Sequence, residues 1–175
     1  MEYRFSIISD RYIDYLRKAD PHVMMNKELP DRTYHRKYLG LIQEINGHKF
    51  FIPMSSPKNK DFDSKTGKIK KDSILTIYMH NGQKLYGTLR FNNMIPVPSS
   101  EIIAYNLNDE GDLKYKMLVL NELYFVRANQ QKIEKTALNL YKAKISRNNQ
   151  NPGLEKLLGI VLDFKNLEKL CDEFV

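Results

Sequence analysis

An Asn-Gly pair at positions 46 and 47 divides two runs of strand-forming residues and predicts a β-hairpin. The runs comprise residues 38–45 and 48–53. Two-residue turns between antiparallel strands need backbone conformations that asparagine and glycine adopt readily. Because a hairpin of this kind sets which residues face each other along both strands, it limits the folds that the whole chain can adopt.

The hairpin also predicts a pocket at its open end. Arg36 and Lys37 precede the first strand, and Ser55, Ser56 and Lys58 follow the second. Antiparallel pairing brings these two ends together. The turn therefore predicts that two hydroxyl groups and three cations lie close together, a combination suited to phosphate.

Four further segments have strand patterns, and two of them flank a second Asn-Gly turn at positions 81 and 82. They are residues 2–8, 73–79, 83–91 and 93–98. Between the first strand and the hairpin, Tyr12, Ile13 and Leu16 recur at helical spacing, and Ser9 or Asp10 can cap that helix.

The last third of the chain has a helical pattern. Residues 113–145 contain no proline or glycine and predict a long helix, bent near residues 127–129. Asp163 or Asn166 can cap a final helix. We therefore expect one domain, residues 1–175, of the α+β class: a compact, strongly twisted antiparallel sheet of about six strands with an N-terminal helix and C-terminal helices.

Charge and apolar content narrow the classes of partner. The 175 residues carry a formal net charge of +7, and an excess of lysine and arginine favours polyanions through counterion release. No apolar run approaches the roughly 20 residues that span a bilayer, and the N-terminus has no signal-peptide pattern. We expect a cytoplasmic protein with no membrane partner.

Residues 58–72 form a basic segment with few apolar anchors, and we expect a mobile loop there. Loops of this kind often bind ligands, although a solvated surface is the more common reason for a run of charge. The lysines that we expect to bind nucleic acid are Lys60, Lys65, Lys68, Lys70 and Lys71.

Common cofactor motifs are absent from the sequence. We find no phosphate-binding glycine loop, dinucleotide fingerprint, zinc-protease helix or nucleophile elbow. The single cysteine, Cys171, rules out a disulfide framework and a cysteine-rich zinc site. We expect no cofactor and no metal, and of the histidines only His35 lies beside the predicted pocket.

Short motifs occur in a recognisable order over nearly the whole chain. They are Tyr38-Leu39-Gly40, Ile45-Asn46-Gly47-His48-Lys49-Phe50, Ile52-Pro53-Met54-Ser55-Ser56-Pro57-Lys58, Asn93-Met94-Ile95-Pro96, Tyr124-Phe125-Val126-Arg127-Ala128-Asn129 and Leu162-Asp163-Phe164-Lys165-Asn166-Leu167-Glu168-Lys169-Leu170. Together they resemble the type III toxin–antitoxin endoribonucleases, the ToxN/AbiQ family. Each motif is weakly specific alone, and their joint order carries the resemblance.

The resemblance implies a metal-independent endoribonuclease that cleaves adenine-rich RNA and leaves a 2′,3′-cyclic phosphate. Toxins of this family process, and are silenced by, a repeated RNA that folds as a pseudoknot. Toxin and RNA alternate in a closed ring, commonly of three toxins and three RNAs. The family fold resembles MazF/Kid-type toxins, with a barrel-like sheet and added helices.

The resemblance also assigns the site residue by residue. Ser56 matches the essential serine of the family's Thr/Ser-Ser-Pro-Lys motif, with Ser55 before it and Lys58 after the proline. Arg36 occupies the basic position four residues before the strand glycine. Tyr34 matches an upstream tyrosine at a shorter spacing, which leaves both Tyr34 and the choice between Arg36 and Lys37 open.

Cleavage by transesterification requires a deprotonated 2′-hydroxyl, a stabilised phosphorane and a protonated 5′-oxygen. Our hypothesis is that Lys58, with Arg36 or Lys37, supplies cations while Ser55 and Ser56 bind phosphate oxygens and orient the 2′-hydroxyl. A lysine crowded by cations can act as base or acid. A covalent serine intermediate is disfavoured, because RNA carries its own nucleophile.

Two other functional hypotheses depend on the same basic residues. The first is a non-catalytic RNA-binding protein, and the second is a DNA-binding or ribosome-associated basic protein. For RNA binding we expect aromatic residues such as Tyr34 to stack on unpaired bases. Arg127 either anchors RNA or pairs internally with Glu122 or Glu134.

Overall fold

The computed structural model describes residues 2–27, 34–146 and 151–175. In these ranges the chain forms an antiparallel sheet of seven strands and five α-helices, which confirms the α+β class. The strands are β1 (Phe5–Ile8), β2 (Tyr38–Gly40), β3 (Phe50–Ser55), β4 (Thr76–His80), β5 (Leu85–Arg90), β6 (Ile95–Pro96) and β7 (Ile102–Ala104). The helices are α1 (Asp10–Ala19), α2 (Leu113–Ala128), α3 (Gln130–Ile145), α4 (Pro152–Leu158) and α5 (Phe164–Glu173).

The predicted first hairpin is confirmed and forms between β2 and β3. In the ladder, Tyr38 lies opposite Pro53, and the two strands run antiparallel. Asn46 and Gly47 adopt φ values of 51° and 75°. Both values lie in the left-handed region, which explains why this residue pair stands at the turn.

The first strand of that hairpin is shorter than predicted. It ends at Gly40 rather than at residue 45. The backbone N–H groups of Ile42 and Gln43 instead donate to the Glu134 carboxylate of α3, at 2.8 and 3.4 Å. A helix that is distant in sequence thus takes the hydrogen bonds that a longer strand would use.

The second Asn-Gly hairpin is also confirmed, and it joins β4 to β5 through Gly82 with a φ of 99°. The strand order is β4-β5-β3-β2-β1-β7, with β6 paired to β3. Our estimate of six strands missed β7, a short strand at the edge of the sheet beside β1. The two end strands of this path are not paired with each other among the described residues, so the barrel-like form and the likeness to MazF/Kid toxins are not confirmed.

The helical predictions hold with one addition. Ser9 caps α1 and Asp163 caps α5 through their side chains. The long pattern at residues 113–145 forms two helices that meet at Asn129, within the predicted bend. The short helix α4 was not predicted, and the Asn151 side chain caps it by accepting hydrogen bonds from two backbone N–H groups.

The helices cover the sheet and place α2 beside the hairpin ends. α2 packs against β4 and β5, α3 packs against α5, and α5 contacts β6. A core cluster draws buried side chains from β1, from the central strands and from the C-terminal helices. In the described part of the chain, no helix is long and apolar enough to cross a membrane.

Candidate active site

The two ends of the first hairpin meet as the turn predicted. The backbone N–H of Met54 donates to the carbonyl of Lys37 at 3.0 Å. The preceding and following residues therefore face each other, and Arg36 Nη1 donates to Ser55 Oγ at 3.1 Å. This contact joins the basic side of the site to its hydroxyl side.

Arg36 is held in a fixed position by backbone carbonyls. Its Nε donates to the Met25 carbonyl at 2.9 Å, and its Nη1 donates to the Met54 carbonyl at 2.6 Å. Only 9% of the residue is exposed. These bonds, with the one to Ser55, fix the guanidinium at the wall of the site.

A cavity of about 290 Å³ opens between the hairpin ends and α2. All six sequence-predicted catalytic residues line it, together with His35. Ser55 is buried, whereas Ser56 and Lys58 are exposed. The cavity lining comprises Asn26, Tyr34, His35, Arg36, Lys37, Met54, Ser55, Ser56, Lys58, Tyr115, Leu118 and Glu122.

Lys37 and Arg36 have different surroundings, although they are adjacent in sequence. The Lys37 ammonium donates to the hydroxyl of Tyr115 and lies 4.5 Å from the centre of that ring. Burial lowers the pKa of Lys37, and the carboxyl groups of Glu122 and Glu110 oppose that effect. Arg36 thus contacts Ser55, whereas Lys37 contacts the helix on the other side of the cavity.

Two stacked tyrosines form part of the cavity lining. The Tyr34 and Tyr115 rings lie with centroids 3.7 Å apart and planes inclined by 9°. The Tyr34 hydroxyl donates to an Asp112 carboxylate oxygen at 3.3 Å. The structure thus brings Tyr34 into the cavity lining, and its stacking on an unpaired base stays a prediction.

Sequence reasoning missed the contribution of α2, namely Tyr115, Leu118 and Glu122. These positions recur at three- and four-residue spacing, so they share one helix face. Glu122 is 5% exposed, and burial raises the pKa of its carboxyl to about 7, with the Lys37 ammonium opposing the shift. The spacing was visible in the sequence, but nothing there showed which face of α2 meets the hairpin.

The basic segment at residues 58–72 has more structure than we predicted. Asn59–Asp61 form a short 3-10 helix, and Phe62 pairs with Ile69 in a β-bridge. The buried Asp61 carboxylate accepts from the backbone N–H of Lys58 at 2.8 Å and from Arg90 Nη2 at 2.8 Å. This bonding attaches the segment to β5 directly after the Ser55-Ser56-Pro57-Lys58 motif.

The predicted RNA-binding lysines are all exposed, but they do not line the first cavity. Three of them, Lys68, Lys70 and Lys71, line a second cleft of about 810 Å³ together with Lys132 and His80. Lys60 and Lys65 lie outside the lining of both. These five lysines therefore form a surface beside the serine motif rather than a wall of the cavity.

Arg127 pairs internally, with partners that we did not predict. Its Nη2 lies 3.4 Å from a Glu2 carboxylate oxygen, and its Nε donates to the Tyr3 carbonyl at 3.3 Å. Glu134 accepts from the Tyr3 hydroxyl instead, at 2.6 Å. The predicted pairing of Arg127 with Glu122 or Glu134 is therefore wrong, and Arg127 lies outside the lining of the first cavity.

His35 lies beside the cavity as predicted, with its Nε2 3.6 Å from an Asp10 carboxylate oxygen. The cavity therefore combines a fixed guanidinium, two amines, two serine hydroxyls and an aromatic pair. Such a set can bind a phosphodiester, neutralise added charge on its oxygens and stack on a neighbouring base.

A family model and individual relatives of known function all indicate the same protein family. Residues 4–172 match the model for the toxin ToxN of type III toxin–antitoxin systems. The chain is 33% identical to the endoribonuclease ToxN of Bacillus thuringiensis subsp. kurstaki over 98% of its own length and 84% of that protein. It is also 33% identical to the endoribonuclease AbiQ of Lactococcus lactis subsp. lactis, over 81% of this chain and 75% of that one.

Solved structures match over the whole fold. One, described as a toxin selectively inhibited by a non-coding RNA pseudoknot, superposes with a TM-score of 0.82 and 31% identity over 99% of this chain and 98% of that chain. The structure of AbiQ, a lactococcal anti-phage endoribonuclease of a type III system, superposes with a TM-score of 0.75 and 25% identity over 98% and 97%.

Proposed function

The chain belongs to the ToxN/AbiQ family of type III toxin–antitoxin endoribonucleases, and from that premise we propose that the hairpin cavity cleaves RNA by internal transesterification. The observation that carries the proposal is the contact between Arg36 Nη1 and Ser55 Oγ at 3.1 Å, with Ser56 and Lys58 beside it in the lining of the same cavity. A fixed cation next to adjacent hydroxyls is the arrangement that a scissile phosphate requires.

In this reaction the RNA 2′-oxygen attacks the adjacent phosphorus, and the bond to the 5′-oxygen breaks. The 2′-hydroxyl loses a proton, the departing 5′-oxygen gains one, and the products carry a 2′,3′-cyclic phosphate and a 5′-hydroxyl. No serine ester forms, because the nucleophile belongs to the RNA. The protein contributes orientation, charge and proton transfer.

The cavity divides these tasks among its residues. Arg36 neutralises the phosphorane from a fixed position, and Ser55 and Ser56 donate hydrogen bonds that hold the phosphate oxygens. Lys58, exposed beside them, adds a second positive charge and a proton for the leaving oxygen. Burial lowers the pKa of Lys37, which makes it easier for this amine to release a proton.

The substrate and the partner that we propose are those that the family resemblance implies, and these surfaces suit them. We propose single-stranded, adenine-rich RNA as substrate, with Tyr34 and Tyr115 as the stacking surface for a base. The inhibitor we propose is a repeated RNA pseudoknot, processed by the toxin and bound in a closed ring such as three toxins with three RNAs. The solved structure of a toxin inhibited by a pseudoknot RNA supports this assignment. The toxin would act in the cytoplasm, on cellular or phage RNA and without a metal ion.

The test is incubation of purified protein with an adenine-rich RNA in excess chelator, followed by end-group analysis. We expect cleavage products with 2′,3′-cyclic phosphate and 5′-hydroxyl ends. Bound but intact RNA would favour the non-catalytic binding protein, and 5′-phosphate ends would contradict transesterification. Competition with a DNA oligonucleotide of the same sequence separates both readings from a general DNA-binding protein.

A first prediction concerns the lysines of the second cleft. Replacing Lys68, Lys70 and Lys71 together by glutamine should weaken RNA binding and reduce the slope of log affinity against log salt by about 2, since each single-strand phosphate contact contributes about 0.7. Fluorescence anisotropy on a labelled RNA over a range of salt concentrations measures both quantities.

The matched control replaces three exposed lysines outside this cleft, Lys18, Lys142 and Lys156, by glutamine. It removes the same net charge from the protein. If both triple variants lower the salt slope equally, the cleft lysines contribute only to net charge and form no RNA groove.

A further inference from the structure

Glu122 is a buried acid that the proposed reaction does not use. It lies on α2, lines the cavity and is 5% exposed. Among the described residues its Oε2 has no hydrogen-bond partner. An ionised carboxylate oxygen that is neither solvated nor hydrogen-bonded is costly, so an ordinary structural role does not explain an acid at this position.

The carboxyl group of Glu122 packs against the backbone behind the catalytic hydroxyls. A Cβ atom at Gly87 of β5 would lie 2.7 Å from Glu122 Oε1 and 3.0 Å from the Ser55 carbonyl oxygen. A larger residue at position 87 would crowd the Ser55 carbonyl and require the Glu122 carboxyl group to shift. The acid is therefore seated between α2 and β5, directly next to the strand that carries Ser55.

The charge that acts on Glu122 is the buried ammonium of Lys37, which comes from the other wall of the cavity. Burial raises the pKa of Glu122 to about 7, with Lys37 opposing, and burial lowers the pKa of Lys37, with Glu122 opposing. The two groups share one poorly solvated space. The proton on the acid therefore decides whether the Lys37 charge is offset.

Other titratable groups lie near this pair. Burial raises the pKa of the Tyr105 and Tyr115 hydroxyls, and the charge of Glu122 raises it further. Both hydroxyls therefore stay protonated near neutral pH. Glu110 acts on Lys37. His80 of β4 packs on Phe125, on the next turn of α2, at 6.1 Å between ring centroids. Arg36, His35 and Lys58 also line the cavity.

We propose that Glu122 is a positioning residue for RNA cleavage, whose proton switches the Lys37 ammonium between a charge neutralised within the protein and a charge that the RNA phosphate meets. This inference rests on the proposed function of the cavity. With the acid neutral, Glu122 does not offset the Lys37 charge, which adds to the charges of Arg36 and Lys58 in the lining of the cavity. With the acid ionised, one of those positive charges is offset.

The sign of the pH dependence follows directly. As pH rises through about 7, Glu122 ionises, the net positive charge of the cavity falls by one, and RNA binding weakens. By reciprocity, a bound phosphate favours the neutral acid, so binding near neutral pH takes up a proton. We take the change of one unit charge inside the cavity to be worth about tenfold in RNA affinity.

The test measures binding of a 2′-O-methyl oligoadenylate, which cannot be cleaved, by fluorescence anisotropy between pH 6 and 8.5. We expect the wild-type dissociation constant to rise about tenfold across this range. Glu122→Gln keeps the shape of the side chain but cannot ionise, so its dissociation constant should stay near the wild-type value at pH 6. Calorimetry in two buffers of different ionisation enthalpy should show uptake of about half a proton per oligonucleotide at pH 7.5, lost in Glu122→Gln.

His35 is the matched control, since it lines the same cavity as Glu122. His35→Gln should keep the wild-type pH dependence, whatever its affinity. The proposal is overturned if Glu122→Gln retains that dependence or weakens binding equally at every pH, or if His35→Gln abolishes it. If Glu122→Gln does not fold, the wild-type measurement is sufficient, because absence of proton uptake on binding overturns the proposal.

The two proposals fail differently. A protein that binds the probe with the expected pH dependence, yet leaves unmodified RNA intact, contradicts cleavage and not the role of Glu122. A protein that cleaves RNA without any Glu122-dependent change in binding contradicts only the present inference. Absence of probe binding at every pH overturns both.

Discussion

Replacing Ser56 by alanine should lower the rate of RNA cleavage by about a hundredfold or more, because a donor aimed at charge that develops in the transition state contributes that much. Ser56 is exposed at the end of β3, so the fold should lose no more than about 0.5 kcal/mol of unfolding free energy. Single-turnover cleavage of an adenine-rich RNA in chelator measures the rate, and thermal unfolding checks the fold.

The matched control is Ser64→Ala, an exposed serine in the same basic segment that lies outside the cavity. It should cleave within about twofold of wild type, as ordinary surface substitutions do. A folded Ser56→Ala protein with wild-type rate would remove Ser56 from the catalytic assignment. Equal losses in both variants would point to the segment as a whole instead.

Arg36 should be needed for both stability and rate. Arg36→Ala leaves the Met25 and Met54 carbonyls without the guanidinium donor, and we expect a loss of about 2–4 kcal/mol in unfolding free energy. It also removes the cation beside Ser55, so cleavage should fall by about a thousandfold. Denaturant unfolding and single-turnover kinetics measure the two effects separately.

Two lysine substitutions separate these contributions of Arg36. Arg36→Lys keeps the charge but loses the planar fork, so the rate should fall by about ten- to a hundredfold with a smaller loss of stability. The control is Arg17→Lys, because the Arg17 guanidinium also donates to backbone carbonyls, those of Pro21 and Val23, away from the cavity. If both substitutions reduce the rate equally, Arg36 acts only by supporting the fold.

Local sequence was sufficient to predict those elements whose geometry depends on the backbone of neighbouring residues. Both Asn-Gly turns formed, because positive φ is cheap for those residues. The first turn then aligned Arg36 with Ser55, which is why half of the site was predictable. The caps of α1 and α5 and the break at Asn129 also depend on neighbouring residues alone.

Local sequence was insufficient to predict those features that depend on distant elements, which compete for backbone hydrogen bonds or pack against each other. β2 is short because Glu134 binds the N–H groups that a longer strand would have used. The edge strand β7 and the helix α4 are short elements with weak patterns. α2 has apolar residues on exposed and buried faces alike, with Leu113 and Tyr124 exposed and Val126 buried. Its rotation about its own axis could therefore not be read from periodicity.

By itself, the sequence determined the α+β class, the hairpin and the juxtaposition of Arg36 and Lys37 with the serine motif, because a tight turn and antiparallel pairing leave one arrangement. Only the tertiary structure decided that Arg36 contacts Ser55 while Lys37 contacts α2, and that the buried Glu122 lines the same cavity as Lys37. Those outcomes depend on how α2 packs against β4 and β5. Packing of that kind is a property of the assembled core and not of any single segment.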